Sequence, residues 1–362
     1  MEGRSAALGL KELGLGAGAH TVYNGGSSAT MDPLTHAAVG LFLSRAGLNR
    51  WTPHATPILI LAAEAPDIDI VTAAGGAVNY LHYHRHLTHS LMAMPVMALF
   101  PVALVALLGR KPIRWWGAFF AAMIAVASHL LLDLTNSYGI RLFLPFSQNW
   151  LRLDTTNVVD LWIWAALLMG IAGPFLSRLV GMEIASGRRR PEYPGRGFAI
   201  FALAFVLFYN CGRAALHARA AAELDARVYR GAEPLRVAAL PGAANPLRWR
   251  GVVETADFYA VDDVDLAREF DPARATVFYK PDPSPALDAA RRTPTMGEFL
   301  RFSQFPLWRV TPSAELENGW LVEVFDMRFG SPQEPGFMAG ALVDSENRVV
   351  KTMFTWGAPR PR

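Results

Sequence analysis

The chain has 362 residues, enough for two ordinary domains, and 52% of them are hydrophobic against only 18% charged, an apolar content above that of typical soluble proteins. Its net charge of +3 is small and scattered, which argues against a nucleic-acid-binding patch. The single cysteine, Cys211, excludes an intrachain disulfide and a multi-cysteine zinc site, so any metal must rely on nitrogen and oxygen ligands.

Residues 1–30 are rich in Gly, Ala and Ser and lack a signal-peptide apolar core; they read as a disordered or mis-annotated extension ahead of Met31. Asp32 is a good cap for a short apolar helix over 33–48, with Pro33 in its first turn. A second short apolar segment covers 56–66 and ends at Pro66. Both are shorter than the roughly 20 residues a perpendicular span needs, so they are expected to be re-entrant or packed within a bundle. Four longer runs follow, at 90–109, 115–134, 158–177 and 197–217. The first contains Pro95 and Pro101, which membrane helices tolerate. The second opens on the interfacial pair Trp115-Trp116.

Arg110, Lys111 and Arg114 crowd one turn, and Arg178, Arg188, Arg189, Arg190 and Arg196 another, whereas 135–157 holds only Arg141 and Arg152. Positive-inside reasoning puts the first two in the cytoplasm and the third outside. Beyond residue 217 prolines separate short β-prone runs at 250–254, 276–279, 320–325 and 349–355, with helical stretches expected at 265–270 and 295–302. The predicted architecture is mainly α: a multi-pass transmembrane helical bundle over 31–217, then a smaller soluble α+β, mainly β, domain over 218–362 on the extracytoplasmic side.

Acids and histidines interrupt the apolar region in four islands. His82, His84, His86 and His89 fall in one stretch directly before an apolar run. Upstream lie Asp32 and His36, four apart, then Asp67 and Asp69 after Pro66; downstream His129 and Asp133 stand four apart, on one face of a helix. Such a pair can simply stabilise helix packing, but each ionisable group inside a bilayer costs roughly 2.5–3.5 kcal/mol on insertion scales, which makes function the default. Asp67 and Asp69 would share one side of an extended segment; alternatively they cap a solvated turn. The topology drawn from the arginines gathers all four islands towards the outer face. His36, Asp67, Asp69, His84, His89, His129 and Asp133 are therefore the candidate metal ligands. Arg85 is suited to hold a phosphate-like oxyanion. Glu64 and Asp160 could orient an imidazole, and Asp160 could itself be a ligand; Arg85 and Asp160 are the candidate catalytic residues. Asn136 and Ser137 are placed to line the pocket. His82 and His86 read as bystanders, and His54 and His217 as incidental. Seven His and Asp ligands suit two or more divalent ions, with zinc first and manganese or iron as alternatives.

At these residues the chain resembles the YdjM-type family of membrane-bound metal-dependent hydrolases. The resemblance rests on Asp32-x-x-Thr35-His36, Pro66-Asp67-x-Asp69, His84-Arg85-x-x-Thr88-His89-Ser90, His129-x3-Asp133 and Gly139 to Pro145-Phe146. Residues 245–250 also resemble the tail domain of longer members. The resemblance implies an inner-membrane protein with a metal site, remotely akin to zinc-dependent phospholipase C and related nucleases, although their N-terminal tryptophan ligand has no counterpart. The expected activity is hydrolysis of a lipid or envelope phosphoester through activated water. The competing reading is a non-catalytic membrane scaffold or stress-response protein with a structural metal. The expected partners are the lipid bilayer and a phosphoester substrate, with no nucleic acid and no obligate protein partner. Metal transport ranks last, because the ligands gather on one side.

Overall fold

Proline at a first turn and an apolar run behind it start the first helix, α1 (Pro33–Ala46), which turns back into α2 (Ala55–Glu64). This computed structural model describes residues 21–23, 33–109, 112–183 and 195–356. The capping residue Asp32, the start Met31, and the loop cations Arg110, Lys111, Arg188, Arg189 and Arg190 lie outside the described residues. With 14 and 10 residues, the two helices are too short for a bilayer of about 30 Å at 1.5 Å per residue, and they pack inside the bundle. Their backbones nearly touch: a Cβ on Gly40 would stand 2.6 Å from the Leu59 carbonyl oxygen. We expect Gly40→Val to wedge the pair apart and lower stability by about 1–3 kcal/mol, read as a reduced thermal midpoint in detergent.

The chain then runs through an irregular 3-10 stretch (Ala65–Gly75), α3 (Ala77–Tyr83), a second 3-10 turn (Leu87–His89) and α4 (Met94–Leu108). The span expected from residue 90 begins later, at Met94, because the Ser90 hydroxyl accepts the Ala93 amide in a tight turn. Pro95 then falls at the start of α4, where its missing N–H is no loss. The segments Ala77–His89 and Met94–Leu108 meet at an 86° bend. Among the described residues three helices are long and apolar enough to cross a membrane: α5 (Trp115–Thr135), α6 (Leu161–Glu183) and α7 (Arg196–Asp225), or four spans if the bent pair counts as one. Their buried faces carry small residues such as Ala118, Ala122 and Ala125, while Leu107, Trp116, Phe175 and Phe208 point outward, as lipid-facing helices require.

The 30-residue α7 continues past the expected boundary at residue 217. Its last turns bury Ala220 and Leu224 against Ala239, Trp249, Val253 and Phe258 of the following domain, so the two parts share one continuous helix. Arg213, on the same helix, donates to the carbonyls of Thr155 and Pro246 and lies 4.0 Å from the Trp249 ring centre. This gives the 245–250 segment a physical role: it is the docking surface for α7.

Two sheets complete the fold. One has the order β2 (Arg236–Pro241), β3 (Arg248–Glu254), β4 (Phe258–Asp265), β5 (Thr276–Tyr279), all antiparallel. The other runs β1 (Thr21–Tyr23), β9 (Val349–Trp356), β8 (Phe337–Val343), β7 (Trp320–Asp326), β6 (Pro306–Pro312). Only β1 is parallel to its neighbour; it lies in the stretch expected to be disordered, where the β-prone Thr-Val-Tyr adds to an otherwise open sheet edge. Helices α8 (Pro285–Arg291) and α9 (Pro294–Phe302) start at Ser284 and Thr293 caps and bury Leu287, Met296, Phe299 and Phe302 on the second sheet. The helix expected over 265–270 does not form. Leu266 instead pairs with Leu247, and its side chain and that of Phe270 enter the core from a turn. Two apolar residues four apart imitate a helical face there.

Candidate metal centre

Three elements bring the ligands together. The 3-10 stretch supplies Asp67, the 3-10 turn before α4 supplies His89, and α5 supplies His129 and Asp133 one helical turn apart. One ligand atom from each of these four residues lies within 4.8 Å of all the others. His89 Nε2 is 3.3 Å from Asp67 Oδ1, 3.3 Å from Asp133 Oδ2 and 3.2 Å from His129 Nε2. His129 Nε2 is 3.7 Å from Asp67 Oδ1 and 3.4 Å from Asp133 Oδ2. Four ligands bonded at about 2.0–2.1 Å to one tetrahedral ion would sit about 3.3–3.4 Å apart.

The tautomers favour the same reading. His129 Nδ1 is 2.6 Å from the Ala63 carbonyl, which can only accept, so Nδ1 carries a proton and Nε2 is the atom turned to the cluster. His89 Nδ1 faces Asp69 Oδ2 at 3.4 Å and the Thr88 hydroxyl at 3.1 Å, which fixes the same tautomer. The two Nε2 atoms face each other across 3.2 Å with carboxylate oxygens beside them, so a proton or a metal cation has to lie between them. Both oxygens of Asp67 and Oδ2 of Asp133 are buried without a hydrogen-bond donor, which is costly for a carboxylate in a protein interior. The donor set fits a divalent metal ion.

Of the other expected ligands, Asp69 stands one shell out. Its Oδ1 meets His84 Nδ1 at 3.1 Å, and its Oδ2 accepts the Arg85 amide at 2.8 Å beside His89. Burial would raise the Asp69 pKa, but the hydrogen bonds from His84 and His89 outweigh it and hold the carboxyl well below the usual range. Asp69 is thus a permanent acceptor that aims the imidazole of His89. We expect Asp69→Asn to weaken metal affinity about 10–100-fold while leaving the ligands in place, measured by competition with a chromogenic chelator. His84 contacts Asp69, stacks on Tyr80 and meets Tyr138 edge-on. His36 stacks on His129 with ring centres 3.9 Å apart, and its Nε2 is 3.5 Å from Asp133 Oδ1. Neither belongs to the four-residue cluster.

Arg85, expected to grip a substrate, is fully buried. Its guanidinium donates to Asp133 Oδ1 at 2.9 Å, Asn136 Oδ1 at 3.0 Å and the Gly139 carbonyl at 3.0 Å, and its Cζ lies 4.7 Å from the Tyr138 ring centre. It braces a ligand from behind. Asp160 caps α6: its Oδ1 accepts the Trp162 and Ile163 amides, and its Oδ2 accepts the Tyr209 hydroxyl. Asp160, His36, Arg85, Asp133 and Asn136 line one narrow cleft. Asn136 thus lines it as expected. Ser137 instead passes its carbonyl to Arg328 at 2.8 Å. The Ala63 carbonyl and Tyr138 went unrecognised in the sequence, and Thr88 was read only as part of a motif. A backbone carbonyl has no sequence signal; Thr88 had one, being adjacent to His89.

Helices of membrane-spanning length, followed by a two-sheet domain and carrying a four-ligand His/Asp cluster, define a membrane protein with a candidate metal site. A model of the YdjM inner membrane protein family matches residues 31–220, more than half of the chain, and the chain belongs to that family. The YfhP C-terminal alpha/beta plait domain matches residues 285–359. The uncharacterized protein YfhP of Bacillus subtilis (strain 168) is 30% identical over 152 residues, 39% of this chain and 46% of that protein. The match therefore spans about half the length of that relative. No solved structure matches.

Proposed function

We propose that this chain is a membrane-bound metal-dependent hydrolase acting on a phosphoester or phosphodiester of lipid or envelope origin. The observation that carries the reading is the convergence of two histidine Nε2 atoms, 3.2 Å apart, with the carboxylates of Asp67 and Asp133. Asp67, His89, His129 and Asp133 would hold one divalent ion, zinc by the donor set. Bound there, such an ion polarises a phosphoryl oxygen and activates water at neutral pH. Asp69 and the Ala63 carbonyl keep both imidazoles in the binding tautomer. His36 lies against Asp133 and on the cleft wall, beside the place the ion would take. Among the four ligands Asp67 has the most exposed side chain, 16% against 0–2% for the others, although both of its oxygens are buried.

The orientation belongs to the same proposal. Arg196 donates to the Ala46 carbonyl and Arg114 to Thr52, so the described basic turns share one end of the bundle. The cluster and the two-sheet domain lie at the other end, which positive-inside reasoning places outside the cytoplasm. A second reading, a structural metal in a non-catalytic scaffold, is favoured by the count of four protein ligands, since catalytic zinc sites keep a position open. Hydrolysis of bis-(p-nitrophenyl) phosphate by purified metal-loaded protein separates the two. Turnover that is lost in His129→Ala supports the hydrolase; its absence at every metal loading, with metal tightly held, supports the scaffold.

A further inference from the structure

Four arginines are almost wholly buried: Arg85 at 0% exposure, Arg213 at 1%, Arg141 at 3% and Arg328 at 4%. Three have acceptors. Arg85 has Asp133, Arg213 has two backbone carbonyls, and Arg328 has both oxygens of Asp326 and the Ser137 carbonyl. Arg141 differs. Its Nε is buried without a hydrogen-bond partner, and among the described residues its guanidinium meets only the face of Trp150, at 4.8 Å. A buried cation with no acceptor is costly, and a protein keeps one where a ligand completes it.

The local backbone fixes where Arg141 stands. Ile140 exchanges both hydrogen bonds with Leu151, and the Leu142 carbonyl accepts the Leu91 amide, so the extended segment is held on both flanks. Trp150 is itself wedged against Tyr138 and Phe302. The neighbouring charges leave the cation uncompensated. Glu298 is the nearby acid, but one of its oxygens is 2.7 Å from His82 Nδ1 and the other accepts Arg301 Nη1 at 2.6 Å. His86 stacks on His82 and has its own Nδ1 buried without a partner. Burial and the Arg141 charge both keep His86 from taking up a proton. Gly139, two residues before Arg141, passes its carbonyl to Arg85, and His86 directly follows Arg85, so this group adjoins the metal-ligand framework.

We propose that Arg141, with His86 beside it and Trp150 beneath it, forms an anion site for a phosphate group. Taking that phosphate as part of the substrate rests on the hydrolase reading; the site itself does not. Arg141 would supply the bidentate fork that sequence reasoning had given to Arg85.

The test uses the full-length protein in detergent, with inorganic phosphate as the probe and chloride of matched ionic strength as the control. Phosphate should raise the thermal midpoint of the wild type and leave Arg141→Met unmoved, with an affinity loss of at least about tenfold. Arg141→Lys should keep part of the response. Without phosphate, Arg141→Met should be at least as stable as the wild type, because it removes an uncompensated charge. A stability loss there would make Arg141 structural and overturn the proposal. So would a phosphate response that survives in Arg141→Met, or one lost only in the metal-ligand variant His89→Ala. Phosphatidylcholine nanodiscs with and without phosphatidic acid form the second arm: Arg141-dependent capture there marks a lipid phosphate, and capture of inorganic phosphate alone marks a soluble one. Failure of bis-(p-nitrophenyl) phosphate hydrolysis would leave these results standing, so the two proposals fail separately.

Discussion

Arg85→Met should destabilise the protein by about 3–5 kcal/mol, the range for removing one partner of a buried ion pair. Arg85 and Asp133 are 0% and 2% exposed, and their 2.9 Å contact is supported by bonds from the same guanidinium to Asn136 and Gly139. Truncation strands the buried Asp133 carboxylate and the Gly139 carbonyl, while Asn136 Oδ1 keeps the Tyr138 and Gly139 amides. Arg85→Lys should recover only part of the loss, since an ammonium cannot span three acceptors in a plane. Thermal or denaturant unfolding of chelated protein gives the number without contributions from bound metal. A variant as stable as the wild type would mean that Arg85 is a ligand-facing group after all.

The second large effect falls on metal affinity. His129→Ala and Asp133→Ala each remove one of four converging ligands, and each should cost at least about 100-fold in affinity, more than the loss of an outer partner such as Asp69. The two differ in stability. Without metal, Asp133→Ala strands the buried Arg85, so it should unfold earlier than His129→Ala when chelated. Metal competition and unfolding on the same preparations separate these roles.

The four islands were legible because imidazoles and carboxylates are expensive in apolar runs, and the spacing of His129 and Asp133 survives as one face of α5. The division of labour among the seven residues was not legible. Asp67 and Asp69 would point the same way in an extended segment, but they sit in a 3-10 stretch. There, two residues differ by about 240° around the axis, so one acid faces the cluster and the other faces His84 and the far nitrogen of His89. His84 and His89 converge because Arg85 adopts a left-handed backbone conformation, φ 53°, and donates its amide to Asp69. No composition signal announces that turn. Arg85 was read by its chemistry alone, which suits an oxyanion; the burial that turns it inward comes from Tyr138. Arg141 was counted only as a loop charge, although the fold buries it.

The spans at 115–134 and 197–217 were readable because length and hydropathy suffice for a membrane helix. The 3-10 stretch and the bend before α4 were not, being set by Ser90 and by packing against α5. In the C-terminal domain, prolines revealed the breaks between strands but not the pairing order, which depends on contacts distant in sequence.

The most direct test is elemental analysis joined to X-ray absorption at the metal edge on protein purified without added metal. The account predicts one tightly held divalent ion per chain, with two imidazole nitrogens and carboxylate oxygens at about 2.0–2.2 Å, lost in His89→Ala. A wild-type protein that binds no metal, or an ion whose shell is unchanged in His89→Ala, would contradict it.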